Sequence, residues 1–501
     1  MGPGEAERVE LTVGPVAHGG HCVARLDGQV VFVRHALPGE RVIAEITEVR
    51  RDFLRADAVT VLDASPDRVV PPCPWAGPDR CGGCDLQHVA PAAQRHWKAE
   101  VVREQLRRLA RLSPEEITEL DVRVDELPGG PLGWRSRVRY AVDAAGRAGL
   151  LKHRSHEVVP IDRCRIARPA IQDLPVLAPS GRLWPDADLV EVVASSAGDV
   201  TVRGRRGTGL PGGDLGDAAV PPAGGPTGGG ADPTDGAPGT GVRVPAVDGA
   251  GGPGQGAGGP GQGAGGPGQG AGGPAQGAGG LGHRFEWSAG TPARDGAPAG
   301  DGVPAGDGVA ERVREVAVGR TWRLPPEAFW QVHPAAAETL ATAVLDLLAP
   351  RAGESAWDLY GGAGLFAAAL AGRVGPAGRI TVVESAEPAV GAARDNLRDL
   401  PQIEVVRASV GPALRRRRIV GPVDLVVLDP PRAGAGAEVV RAVAAATTRA
   451  VAYVACDPAA FARDARTFRE AGWRLAALRG YDLFPMTQHV ELVALLLPGE
   501  G

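Results

Sequence analysis

The hydrophobic rhythm of the chain changes several times. Between Glu10 and Ala58, short alternating runs are broken by glycine: Glu10-Leu-Thr-Val, Cys22-Val-Ala-Arg-Leu, Gln29-Val-Val-Phe-Val and Arg41-Val-Ile-Ala-Glu-Ile. Alternation at this spacing predicts the strands of a small antiparallel barrel, with Leu37-Pro-Gly-Glu as a turn. From Gln94 to Leu112 the pattern is that of an amphipathic helix carrying Arg103, Arg107, Arg108 and Arg111. Around Trp134–Tyr140 alternation returns. On a strand it sets Arg135, Arg137 and Arg139 on one face, a row suited to a phosphate backbone. From Val313 onward, apolar runs alternate with alanine-rich helical stretches. The runs are Ser355–Tyr360, Arg379–Glu384, Ile403–Arg407, Asp424–Asp429, Ala450–Ala455, Arg474–Leu478 and Glu491–Leu496. This alternation predicts an α/β fold, a doubly wound sheet of about seven strands.

The stretch 204–310 interrupts these patterns. It consists largely of Gly, Pro, Ala, Asp and Thr, and between Ala250 and Ala278 the unit Ala-Gly-Gly-Pro-Gly-Gln-Gly recurs every seven residues. The period is not that of collagen, and no position is reliably apolar, so no coiled coil is expected. With little to bury, the stretch is expected to be a disordered insertion, with His283-Arg-Phe-Glu-Trp as a strand-like island. The chain thus divides into a barrel (1–64), a cysteine-bearing central region (65–203), the insertion (204–310) and a strand–helix domain (311–501). The net charge of −5 supplies no global basic field, so any RNA contact must come from local patches. The start of the chain lacks a leader pattern and no apolar run approaches a membrane span. A cytoplasmic protein free of the membrane is expected.

Six cysteines in 501 residues do not make a disulfide scaffold. Cys81-Gly-Gly-Cys84 points two thiolates at one centre, Cys73 lies near enough to join, and Cys164 is the fourth candidate. Zinc and an iron–sulfur cluster both accept four thiolates, and spacing does not separate them. A redox pair at Cys81 and Cys84 would leave Cys73 and Cys164 unexplained.

Two strand-like runs end in the same way. Val423-Asp-Leu-Val-Val-Leu-Asp-Pro ends at Asp429, and Ala450-Val-Ala-Tyr-Val-Ala-Cys-Asp-Pro ends at Cys456. Open α/β sheets place ligands at the carboxyl ends of their strands. Asp358-Leu-Tyr-Gly-Gly-Ala-Gly is a glycine-rich turn without the full dinucleotide fingerprint. The acid Glu384 ends the next strand, where it can hold both ribose hydroxyls of an adenosine. With no lysine and no complete glycine pattern for phosphate, the pair favours S-adenosylmethionine over NAD.

Together with Phe329-Trp-Gln-Val-His-Pro and Asp482-Leu-Phe-Pro-Met-Thr-Gln-His-Val-Glu, these motifs resemble the iron–sulfur RNA uracil-5 methyltransferases. The resemblance covers nearly the whole chain outside 204–310, and the first 64 residues resemble the RNA-binding TRAM domain, an OB-like β-barrel. It implies a class I Rossmann-like methyltransferase domain, and S-adenosylmethionine contacts at Gln331, Tyr360, Glu384 and Asp429. It further implies a nucleophile at Cys456, a general base at Glu491, and a [4Fe-4S] cluster on Cys73, Cys81, Cys84 and Cys164. Three departures are visible. His333 stands where the family usually has asparagine, Asp457 follows Cys456 where asparagine is usual, and the loop from Cys73 to Cys81 is longer.

The chemistry accounts for these residue types. Carbon 5 of uracil is a poor nucleophile until a thiolate adds to carbon 6 and makes an enolate. A base must then remove the carbon-5 hydrogen so that the thiol can leave. The target must be unstacked to reach the pocket. The expected enzyme is a monomer that makes 5-methyluridine in RNA. The barrel and cysteine cluster resemble the branch acting on 23S rRNA; tRNA is the alternative substrate. A non-catalytic iron–sulfur RNA-binding protein is the alternative outside enzymology.

Overall fold

A computed structural model describes residues 7–177, 181–206, 288–289 and 312–499. Most of the 204–310 insertion, including the His283–Trp287 island, lies outside the described residues. The seven strands expected after residue 311 all form: β1 (Ser355–Leu359), β2 (Arg379–Glu384), β3 (Ile403–Arg407), β4 (Val423–Leu428), β5 (Thr447–Ala455), β6 (Trp473–Asp482) and β7 (Glu491–Pro498). They lie in the order β3-β2-β1-β4-β5-β7-β6. β7 runs antiparallel to both of its neighbours, and the other pairs among these seven are parallel. The parallel strands read as continuous apolar runs because helices cover both faces. In β4 every residue from Leu425 to Leu428 is fully buried.

An eighth strand comes from outside the expected domain. Val124–Glu126 pairs in parallel with the end of β6, Gly480 opposite Val124. The helix preceding it, Pro91–Gln105, continues through a π-turn at Leu106–Ala110 and stops at Arg111, whose φ is 57°. Its apolar stripe, Ala99, Val102, Leu106 and Ala110, packs with Phe461 and Phe468 in one layer of the core. This helix therefore belongs with the catalytic sheet, not with the cysteines. Two of the arginines expected on its outer face have protein partners: Arg103 bonds Glu100 and the Val122 carbonyl, and Arg108 bonds Glu104.

The N-terminal sheet has six strands, in the order Arg8–Thr12, Arg41–Val49, Phe53–Asp63, Gln29–Arg34, His21–Leu26 and Val16–Ala17. Its ends are joined where Gly14 N–H donates to the Val23 carbonyl and Val23 N–H donates to the Pro15 carbonyl. One pairing departs from the expected antiparallel barrel: Gln29–Arg34 runs parallel to Phe53–Asp63. The long strand Phe53–Asp63 is not among the expected runs, although Leu54, Ala56 and Ala58 alternate inward along it. Cys22 is buried in this barrel, consistent with a packing role.

The central region forms a second sheet, with strands Val158–Pro160, Ala148–Leu151, Arg137–Val142, Leu189–Ala194, Val200–Arg205 and Ser288–Ala289 in that order. The expected phosphate-binding arginine row does not survive here. Arg137 is turned inward onto Glu315 at 3.3 Å and onto the Pro326 and Ala328 carbonyls, and Arg139 pairs with Glu191 at 2.9 Å. Arg137 is largely buried and joins packed segments, so it is not free for an external phosphate, whereas Arg139 stays about a third exposed beside Glu191. Among the described residues, no helix is long and apolar enough to cross a membrane.

Candidate active site

The strand order reverses between β1 and β4, and the carboxyl ends on either side of that switch point hold the candidate cofactor residues. Tyr360 follows β1 with a φ of 64°, a strained setting for an aromatic residue, held by its N–H donating to the Val383 carbonyl at 3.0 Å. The turn beyond it requires glycine. A Cβ on Gly361 would stand 2.6 Å from Val382 Cγ1, and Gly364 has φ +91° with Leu397 Cδ1 only 2.4 Å from where its Cβ would be. Gly362 N–H donates to Glu384 Oε2 at 3.1 Å, and Ser385 and Ala386 N–H donate to Oε1 at 2.6 and 2.7 Å. The end of β2 is thereby locked to the turn after β1.

Three carboxylates converge at this end of the sheet. Asp358 is fully buried in β1; its Oδ2 accepts from Ala367 N–H at 2.9 Å, while its Oδ1 has no hydrogen-bond partner among the described residues. Burial pushes Asp358 up to about 7, with the Glu384 charge adding to it. Burial likewise pushes Asp429 up to about 7, reinforced by Asp358 and Glu384. Gln331 lies half-buried on the segment whose Val332 carbonyl accepts from Ser136 N–H at 2.8 Å. The neighbouring His333 stacks on Trp134, with ring centres 6.1 Å apart, and burial holds it down to about 4, so its ring is neutral.

The reacting pair is set by register. Because β7 is antiparallel to β5, the amino end of β7 lies beside the carboxyl end of β5. Val454 faces Val493 and Ala455 faces Leu492. One further step along this register brings Cys456 against Glu491. Burial pushes the Cys456 thiol well above its ordinary range, with the Glu491 charge next, while Arg432 pulls it down. Glu491 is only 4 % exposed. Burial and then the Asp429 charge push its carboxyl well up, again opposed by Arg432. Cys456 opens into a cavity of about 350 Å³ whose other walls include Arg432, His489, Lys98 and the barrel loop Val16–Gly20.

Several residues at this site had no role in the sequence reading. Arg432 reaches His489 at 3.1 Å. Asp464 accepts from the Tyr453 hydroxyl at 2.6 Å and from Ala435 N–H at 2.7 Å, which fixes the loop carrying Asp429 and Arg432. The available signal was an acid among core positions: Phe461, Asp464, Ala465 and Phe468 share one face of the helix Pro458–Glu470, and all are buried. The barrel wall gives no local signal, because it depends on tertiary contact.

A second groove, of about 530 Å³, is lined by Arg34, Arg50, Arg55, Arg80, Lys152 and Arg154, which outnumber the acids Glu48, Asp57 and Asp79 with which several of them pair. It shares His21, Phe32, Arg55 and Arg154 with the Cys456 cavity. The basic surface thus lies beneath the barrel and not along the central strand. Arg55 lies over the Phe32 and Phe53 rings, at 5.8 and 5.1 Å from their centres.

The candidate metal ligands also meet. Cys73, Cys81, Cys84 and Cys164 all line one small cavity of about 40 Å³. Gly82 N–H donates to the Leu151 carbonyl at 3.0 Å, which seats the Cys81–Cys84 turn on the central sheet, and Gly83 N–H points at Cys81 Sγ at 3.5 Å. Burial pushes the Cys81 thiol up to about 12 and also raises Cys84 and Cys164. Among the described residues, no group of three or more His, Cys, Asp or Glu is arranged to hold a single metal ion.

A sheet of this order with ligand groups at its switch point is the fold of an S-adenosylmethionine-dependent methyltransferase. The structure superposes along 98% of the chain, with a TM-score of 0.58 and 21% identity, on all of a Pyrococcus abyssi tRNA (uracil-54, C5)-methyltransferase solved with S-adenosyl-L-homocysteine. Residues 5–59 match the TRAM domain, and residues 307–498 match the tRNA (Uracil-5-)-methyltransferase family. A Streptomyces avermitilis protein described as an uncharacterized RNA methyltransferase is 44% identical over 98% of each chain. A 23S rRNA (uracil(1939)-C(5))-methyltransferase of Alkalilimnicola ehrlichii is 30% identical over 98% of this chain and 96% of its own. The chain belongs to the RNA uracil-C5 methyltransferase family and is an enzyme of that class.

Proposed function

We propose that this enzyme methylates carbon 5 of a uridine in 23S rRNA through a covalent bond between Cys456 and the base. The observation that carries this reading is the β5–β7 register that sets Cys456, which opens into a cavity walled by the barrel, against Glu491. The RNA enters along the basic groove, and the target base leaves its stack to reach the thiol. The Cys456 thiolate forms a bond to carbon 6, and the carbon 5–carbon 6 π electrons move onto the carbonyl oxygen of carbon 4. S-adenosylmethionine, when bound, supplies the methyl group that carbon 5 then takes. The Glu491 carboxylate removes the carbon-5 proton, the ring double bond re-forms, and the Cys456 thiolate leaves. Arg432 lies close enough to both to stabilise the thiolate and the carboxylate as anions.

The residues fit the cofactor. The glycine turn after β1 gives its backbone close approach, Glu384 is placed for the ribose, and Asp358 keeps an oxygen without a partner among the described residues. Gln331, Tyr360, Glu384 and Asp429 would hold it. A positively charged sulfonium suits three gathered carboxylates. Asp358 and Asp429 take up protons as pH falls through about 7, so affinity for S-adenosylmethionine is expected to rise with pH through that value. The uncharged-sulfur product S-adenosylhomocysteine is expected to show a weaker dependence. Calorimetric titration of both between about pH 6 and about pH 8 checks this. For the unliganded protein the sign reverses. Carboxyls raised on folding stabilise it below their unfolded values, and that contribution is lost as pH rises through about 7.

The four converging thiols support a [4Fe-4S] cluster on Cys73, Cys81, Cys84 and Cys164. Protein purified without oxygen is expected to be brown, and Cys81→Ser is expected to bleach the broad visible absorbance. Colourless, zinc-loaded protein would refute the cluster.

The ribosomal substrate is supported by the 23S rRNA relative, which matches this chain across the barrel and central region as well as the catalytic domain. A tRNA substrate is the second reading, favoured by the family description of residues 307–498. Mapping 5-methyluridine in a strain lacking the gene decides between them. A 23S rRNA position is expected to lose its methyl group, and loss confined to tRNA would overturn the ribosomal assignment.

A further inference from the structure

The wall opposite Cys456 comes from the barrel, and one side chain crosses the gap. His18, on the loop Val16–Gly20, stands with Nε2 3.2 Å from Asp457 Oδ2. Asp457 directly follows Cys456 and begins the helix Pro458–Glu470, where its Oδ1 accepts from Ala460 N–H at 2.7 Å. Each oxygen of this carboxylate thus has its own donor, one from its helix and one from the barrel. Against the raising effect of burial, the His18 and Ala460 bonds hold Asp457 below the usual carboxylate range, so it is an anion.

An anion next to the nucleophile is a problem for the chemistry. A like charge nearby disfavours the thiolate. Three acids act on Cys456 and disfavour its thiolate: Glu491 from β7, Asp429 from the loop after β4, and Asp457 from its own helix, while Arg55, Lys98 and Arg154 line the cavity it opens into. Arg432 opposes the acids, and it is engaged with His489 from the last crossover. Around Asp457, Arg463 is a further cation on the same helix. An asparagine at position 457 would cap the helix equally well without the charge. A carboxylate there is tolerable when a donor outside the domain holds it.

We propose that His18 is a positioning residue for the reaction: it holds the Asp457 carboxylate towards the barrel, and so allows the Cys456 thiolate to form. This rests on the reading of Cys456 as the nucleophile. It also makes a seated barrel a condition of reactivity, because the loop that lines the cavity carries the residue that prepares the thiol. Gly20 is packed against Asp85 and Gln488, with an added Cβ only 3.0 and 3.2 Å from their Cβ atoms, so the loop is held against the catalytic domain.

The test is the pH dependence of Cys456 alkylation by iodoacetamide in the full-length protein without RNA, followed by peptide mass spectrometry. His18→Ala is expected to raise the alkylation midpoint by about one pH unit. It is expected to lower kcat about tenfold at neutral pH, with KM for RNA unchanged. In an Asp457→Asn background, which removes the charge, His18→Ala is expected to move neither quantity. An unmoved midpoint, an equal shift in both backgrounds, or a change confined to KM would overturn the proposal. The parent reading fails separately: a Cys456→Ala enzyme that still methylates would remove the nucleophile but leave the alkylation result standing.

Discussion

Replacing Cys456 with alanine is expected to lower methyl transfer by more than about a thousandfold, because among the described residues Cys456 is the one thiol lining its cavity, and carbon 5 is activated by its addition to the ring. The expectation rests on geometry. Cys456 stands at the carboxyl end of β5, within a cavity, opposite Glu491 in the β5–β7 register. S-adenosylmethionine affinity is expected to stay within about twofold of wild type, since the candidate cofactor residues lie elsewhere: Gln331 before β1, Tyr360 after β1, Glu384 at the end of β2 and Asp429 after β4. The partner substitution behaves differently. Glu491→Gln leaves the thiol in place but removes the proton acceptor, so the methylated base is expected to remain bonded to Cys456. The checks are a radiolabelled methyl-transfer assay and denaturing gels for a protein–RNA adduct. Full activity in Cys456→Ala, or no adduct in Glu491→Gln despite a single methyl transfer, would refute this division of labour.

The second large effect concerns stability. Lys98→Met is expected to destabilise the protein by about 3–5 kcal/mol, because it strands a buried carboxylate. Lys98 is 2% exposed, Asp482 is 3% exposed, and Lys98 Nζ lies 2.6 Å from Asp482 Oδ1 and 3.2 Å from the Phe484 carbonyl. Replacing both partners with apolar residues is expected to recover much of the loss, since burying the pair is itself costly. The same helix fixes the next part of the loop: Gln94 accepts from Met486 N–H at 2.9 Å and donates to the Leu86 and Val89 carbonyls. That loop leads into Glu491. The Lys98→Met variant is therefore expected to lose activity at temperatures below its global unfolding. Urea denaturation of the single and double variants checks the ordering, and equal stabilities would contradict it.

The sequence reveals the catalytic sheet because parallel strands covered on both faces are apolar where they are buried, as Leu425–Leu428 of β4 and Ala450–Ala455 of β5 are. The ends of those strands are legible for the same reason. An apolar run that stops at Asp429-Pro or Cys456-Asp-Pro marks both the strand's end and the chemistry placed there. Val124–Glu126 could not be found in this way. It has three residues and one buried side chain, and it is a strand because β6 offers it an edge. The arginine row failed for a related reason. Alternation places Arg137 and Arg139 on a face, but Glu315, far away in the chain, draws Arg137 into an internal junction, and Glu191 pairs with the partly exposed Arg139. Asp464 could be recognised as an acid on a buried helix face, but its partners Tyr453 and Ala435 are set by packing.

That three-residue edge strand has a wider consequence. The methyl-transferring half is not a freestanding module, because its edge strand and one of its covering helices are lent by residues between Cys84 and Cys164. Cut away from them, β6 would present unsatisfied amides, and Phe461 and Phe468 would lose their cover, a surface prone to clumping. The two segments are therefore expected to fold and unfold together, as one cooperative body.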